Sequence, residues 1–97
     1  MIIMKNLEFD WEEGNTEKIL RRFTIIEVED FFGQTLHVIE DVVHSKVERR
    51  LIATGAGPNK RPMFVCFMLR SNKIRVISAR FMKAKEAEKY EKFKKDF

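Results

Sequence analysis

The chain has 97 residues, 44% of them hydrophobic and 35% charged, with a formal net charge of +4. This length supports one domain with one modest core, and the balance excludes a disordered chain. The apolar run around Met63–Leu69 is far shorter than the roughly 18–20 residues that cross a bilayer, and Met1–Met4 is too brief for the hydrophobic region of a signal peptide.

One cysteine, Cys66, cannot form an internal disulfide. Its apolar neighbours predict a buried, inert thiol, and a reducing cytoplasm is the expected compartment. Charge is divided along the chain: residues 1–45 carry four Lys/Arg against ten Asp/Glu, and residues 46–97 carry fifteen against five. Such polarity steers a polyanion to one surface, although a plain solvated surface is the competing reading.

In chain order, residues Ile2–Phe9 read as a short strand. Asp10 and Glu13 then have capping-box spacing, and a helix is expected over Trp11–Arg22. Thr24 and Glu27 repeat that spacing, with Phe23 and Val28 placed to clamp as a hydrophobic staple, so a second helix runs through Phe31 and Phe32. Gly33 suits the left-handed backbone that closes helices.

The period then changes to that of strands: Thr35–Glu40, Val47–Thr54, Pro62–Arg70 and Lys73–Ala79, an antiparallel meander. Met63–Leu69 is apolar throughout, which predicts a central strand covered on both faces. Ser71-Asn72 is a two-residue hairpin turn, and residues 55–60 form a longer loop. Ala84, Ala87, Tyr90, Phe93 and Phe97 make one stripe of a final helix that docks on the sheet.

No His, Cys and carboxylate cluster has the spacing of metal ligands, and no Gly-rich loop leads into a helix, so neither metal nor cofactor is expected. What remains is cationic: Arg49, Arg50, Arg61, Arg70, Arg75, Arg80 and Lys83, followed by one phenol, Tyr90. That inventory suits phosphate. RNA is cut without metal when one group activates the 2′-hydroxyl and fixed cations stabilise charge developing on phosphorus.

His37 alternates with apolar neighbours and reads as structural, whereas His44, in the turn Asp41–Lys46, is a candidate for chemistry. Arg80 reads either as a phosphate ligand or as the ion-pair partner of a carboxylate such as Glu86. Tyr90 lies on the apolar stripe, so packing competes with catalysis there.

Arg75-Val76-Ile77-Ser78-Ala79-Arg80, followed by Glu86 and Tyr90-Glu91, resembles the C-terminal signature of the BrnT toxin family. Upstream, Phe9-Asp10-Trp11-Glu12-Glu13, Arg61-Pro62-Met63-Phe64-Val65 and His44-Ser45 are similar to that family's opening, its central strand and a turn. The resemblance implies an α+β, RelE-like ribonuclease domain over residues 1–97: a short N-terminal strand, two helices, a four-stranded antiparallel meander and a C-terminal helix. It implies a type II toxin that cleaves RNA and inhibits translation, neutralised by a BrnA-like antitoxin that alone contacts operator DNA.

On the same resemblance Arg80, Arg75, Tyr90 and His44 are the expected catalytic residues, and Lys18, Arg22, Arg50, Arg61 and Lys83 the expected RNA ligands. Where many members carry histidine near the end of the first helix, this chain has Lys18 and Arg22, which suit phosphate anchors better than proton transfer. The alternative is a catalytically silent RNA-binding or corepressor module on the same fold.

Overall fold

The computed structural model describes residues 2–4, 6–11 and 15–95. Its elements are β1 (Ile2–Ile3), β2 (Glu8–Phe9), α1 (Asn15–Ile19), α2 (Ile25–Phe32), β3 (Thr35–Glu40), β4 (Leu51–Ala56), β5 (Pro62–Arg70), β6 (Lys73–Phe81) and α3 (Ala84–Lys95). The fold is α+β, and its strands form one six-stranded sheet in the order β1-β3-β4-β5-β6-β2.

β3 through β6 are antiparallel neighbours in chain order, but the sheet does not stop at those four. The expected single N-terminal strand is two short ones at opposite edges. β1 pairs antiparallel with β3, and β2 pairs parallel with β6, which makes the sheet mixed. The five steps from Ile3 to Glu8 span at most ~18 Å, whereas the edges of a flat six-stranded sheet would lie ~24 Å apart, so the sheet must curl.

One face of the sheet carries the core. Leu36, Ala53, Met63, Val65, Phe67, Ile74 and Val76 are buried against Val28, Phe31 and Phe32 of α2. Phe32 is the hub, edge-on to Phe9, Phe31 and Phe67 with ring centroids 5.1 to 5.5 Å apart. Helix α2 starts as its capping box requires: Glu27 N–H donates to Thr24 Oγ1 at 3.1 Å, and Thr24 N–H donates to Glu27 Oε1 at 2.9 Å. Its staple residues Phe23 and Val28 both enter the core.

Other expectations are corrected. The first helix ends at Ile19 instead of Arg22, because Arg22 N–H and Phe23 N–H both turn back onto the Ile19 carbonyl, and residues 12–14 of its expected start lie outside the described residues. Asp10 N–H donates to the Ile74 carbonyl and so continues the β2 ladder, while Glu13 lies outside the described residues. Gly33 caps α2 with φ −77° and ψ −6°, ordinary right-handed backbone.

The second strand of the meander begins at Leu51, not Val47. The chain ahead of it is held in a loop by Ser45, whose Oγ donates to the Asp41 carbonyl and accepts Arg50 N–H. Gly55 and Ala56 belong to β4 instead of the following loop, and β6 runs on to Phe81. Ser71 and Asn72 form the expected tight turn, both with positive φ, 50° and 63°.

β5 is central, yet only one of its faces is fully covered. Met63, Val65 and Phe67 are buried, whereas Phe64, Cys66 and Met68 on the other face are half-exposed. Cys66 is therefore not the deeply buried thiol that its neighbours suggested. Helix α3 contributes no buried residue; it touches the sheet through Phe93, edge-on to His37 at 4.6 Å, and through Glu86, and Phe97 lies outside the described residues.

Candidate functional site

The half-exposed face of the sheet is organised in rungs. Strand register sets His37, Thr54, Phe64 and Arg80 in one cross-strand row, and Ile39, Ile52, Cys66 and Ser78 in the next. Arg75 follows, opposite Met68. Strict alternation along β6 would send Arg75 and Arg80 to opposite faces, since they are an odd number of residues apart. A bulge at Ile77, where the pairing steps from Cys66↔Ser78 to Phe67↔Val76, restores both arginines to the same face.

Above this floor lies a groove of about 860 Å³. Lys18, Arg21 and Arg22 border it from the end of α1 and the turn after it. Asp41, His44 and Arg50 border it from the loop between β3 and β4, and Arg80 from β6. Among the described residues Lys18, Arg21, Arg22 and Arg50 make no ion pair. Four cations with no ion-pair partner among the described residues stand around one cavity, with Asp41 as the acidic residue on the rim, and a low-dielectric wall focuses their positive field.

Asp41 and His44 form a pair on the same rim. His44 Nδ1 lies 2.9 Å from Asp41 Oδ2, with Asp41 16% and His44 62% exposed. The loop that Ser45 pins also joins Asp41 N–H to the Arg50 carbonyl at 2.8 Å, so the carboxylate sits on fixed backbone. With its proton on Nδ1, His44 donates to Asp41 and leaves Nε2 as a free acceptor, the arrangement of a carboxylate-oriented base.

Arg80 forms the ion pair that sequence reasoning raised as its second reading. Its two terminal nitrogens each donate to a Glu86 oxygen at 2.9 Å, and its guanidinium carbon lies 4.7 Å from the Phe64 ring centre. Glu86 also accepts Lys83 N–H at the start of α3. The Arg80 bonds first, and the Lys83 N–H second, push the Glu86 carboxyl down to about 2.

The groove thus gathers Lys18, Arg22, Arg50, His44 and Arg80 of the expected residues. It does not gather the others. Arg61 lies over the Phe81 ring at 3.8 Å, Lys83 is exposed at the head of α3, and Tyr90 is half-buried on α3, where burial pushes its phenol up. Sequence reasoning missed Arg21, Asp41, Thr54 and Ser78. Asp41 was legible as the acidic residue three before His44, the spacing that joins side chains across one helical turn.

Among the described residues, no helix is long and apolar enough to cross a membrane, and no three His, Cys, Asp or Glu side chains are grouped to hold a metal ion. No curated protein and no solved structure matched the chain. A family model described as the ribonuclease toxin BrnT of type II toxin-antitoxin systems matches residues 11–86, a span that contains every residue lining the groove. The chain belongs to the BrnT family of ribonuclease toxins.

Proposed function

We propose that this chain is a cytoplasmic endoribonuclease with a RelE-like fold that cuts single-stranded RNA without a metal ion and so inhibits translation. The observation that carries this reading is the convergence of Lys18, Arg21, Arg22 and Arg50, which make no ion pair among the described residues, with the Asp41–His44 pair on one groove. The cations draw in the backbone and hold the scissile phosphate. His44 Nε2 takes the proton of the 2′-hydroxyl, whose oxygen attacks phosphorus and expels the 5′-oxygen of the next nucleotide. Water in the open groove protonates that leaving oxygen, and the product ends in a 2′,3′-cyclic phosphate.

Arg80 stabilises the charge on phosphorus once the phosphate has displaced Glu86, and Arg75 extends the cationic track one rung further. Tyr90, away from the groove, supports the packing of α3 in this scheme. Purified protein tests the reading. It should cut RNA in the presence of a chelator and leave cyclic phosphate ends, and binding should weaken with salt at a slope of about 0.7 per phosphate contact. Binding at low salt without any cleavage would instead favour the silent module, a reading that the occupied fork of Arg80 supports.

A type II toxin has an antitoxin partner, and here we take that partner to be BrnA-like. Val42 and Val43, 73% and 74% exposed beside His44, give it an apolar lip to cover. An antitoxin seated there excludes RNA from the groove; growth of cells expressing the chain with and without the partner checks this.

A further inference from the structure

We propose that the floor of the groove is a seat for one unpaired nucleobase, held on Ile39 and Ile52 and read at its edge by the hydroxyls of Thr54 and Ser78. The inference rests on the RNA-binding reading of the groove and adds to it the part of the nucleotide that the cations do not explain.

A site for phosphate alone needs donors and charge. This floor offers something else. Ile39 pairs across the sheet with Ile52, and Ile52 with Cys66, which sets two branched aliphatic side chains and a thiol side by side beneath the cationic rim. Ile39 is 65% exposed, a costly arrangement for an aliphatic side chain that nothing covers. Phe64 adds an aromatic face, and the Arg80 guanidinium over it presents a plane of the kind on which bases stack.

The polar groups of the floor are free to read. Thr54 and Ser78 both line the groove, and neither hydroxyl bonds to any described residue. They stand on different rungs and different strands, Thr54 beside Ile52 in β4 and Ser78 opposite Cys66 in β6. A flat ring resting on the isoleucines therefore has a hydroxyl available at two points of its edge, each able to donate or accept.

The rim supplies the matching half. Arg50 lies close enough to the floor for its charge to act on the Cys66 thiol, so a base on the isoleucines leaves its own phosphate within reach of a guanidinium. The cavity, about 860 Å³, falls in the range that encloses small organic ligands and has room for a nucleotide. In a duplex the base faces are stacked inside the helix, so only an unpaired nucleotide can use this seat.

The test compares a ligand with a base to the same ligand without one. Intact protein carrying labelled isoleucine methyl groups is titrated with each of the four nucleoside 5′-monophosphates and with ribose 5-phosphate, and NMR follows the Ile39 and Ile52 methyls. At least one nucleotide should bind fivefold or more tightly than ribose 5-phosphate, in line with the roughly 1–3 kcal/mol measured for stacking one base, and should shift both methyls. Thr54→Val should then reorder the affinities of the four nucleotides. Equal affinity for nucleotides and ribose 5-phosphate, with the methyls unmoved, overturns the seat while leaving phosphate binding in place. If neither ligand nor longer RNA binds, the RNA reading of the groove falls with it.

Discussion

Arg80 and Glu86 hold each other through two parallel hydrogen bonds of 2.9 Å, while the same guanidinium stacks on Phe64. A phosphate that uses Arg80 must therefore take the place of a carboxylate. The pair is exposed enough that this exchange is cheap, since solvent screens a surface ion pair and leaves it little net stability. Arg80→Ala should leave the fold intact and reduce cleavage roughly 10²–10³-fold, the effect of deleting a preorganised donor. Arg80→Lys should recover only part, because a point charge lacks the fork. Glu86→Gln should tighten RNA binding by up to about fivefold. Weaker binding by that variant would identify Glu86 as the group that positions Arg80.

The same pair gives α3 a defined response to acid. The Glu86 carboxyl is pushed down to about 2 from an ordinary value of 4.5, chiefly by Arg80. A carboxylate with a depressed folded-state value stabilises the fold fully above its unfolded value and loses that contribution as pH falls through the folded one. The attachment of the first turn of α3 should hold at pH 5, weaken below 4.5 and be lost near pH 2. NMR titration of the Glu86 carboxyl and of the Arg80 Nη protons checks this, and Glu86→Gln should abolish that step. An Arg80 signal indifferent to pH across this window would mean that the ion pair does not form in solution.

Gly55 has a steric reason to be glycine. A Cβ there would stand 2.7 Å from Leu36 Cδ2 and 3.1 Å from Gln34 Nε2. Gln34 cannot easily yield, since its side-chain amide donates to the Ala56 carbonyl at 2.7 Å and accepts Ala56 N–H at 3.2 Å, as an extra strand residue would. Gly55→Ala should cost about 1–3 kcal/mol from overpacking and lower Tm by roughly 4–8 °C per kcal/mol in a domain of this size. Thermal melting within a degree of the parent would show that Leu36 has room to rotate.

The elements legible in the sequence are those fixed by local chemistry. The Thr24–Glu27 box, the strand period of Thr35–Glu40, the apolar run of Met63–Leu69 and the Ser71-Asn72 turn each depend on residues a few positions apart. What was not legible depends on distant partners. Val47–Arg50 reads as strand until Ser45 holds the loop closed. The site followed the same division: its cations were identifiable by type, but not their grouping. Arg61 looked equivalent to Arg50, and only the tertiary fold puts one over Phe81 and the other on the groove. Arg75 and Arg80 share a face through one bulge at Ile77 that no period reveals.

The Asp41–His44 pair decides between a nuclease and a binding module. If His44 is the base, His44→Gln should reduce cleavage about 10²–10⁴-fold, the usual contribution of positioned proton transfer. RNA affinity should stay near that of the parent, because Lys18, Arg21, Arg22 and Arg50 are untouched. Asp41→Asn is the sharper variant. The backbone bonds that hold the loop, Asp41 N–H to Arg50 and Ser45 Oγ to the Asp41 carbonyl, survive it, so Tm should change little. What is lost is the acceptor that keeps the His44 proton on Nδ1, 2.9 Å away. The imidazole should then populate the other tautomer, visible in its ¹⁵N shifts, and kcat should fall tenfold or more with KM nearly constant, since orientation and not binding is impaired. If Asp41→Asn moves the tautomer and leaves kcat unchanged, His44 is not the base. If His44→Gln cleaves as the parent does, the proton is taken elsewhere and the groove serves only to hold RNA.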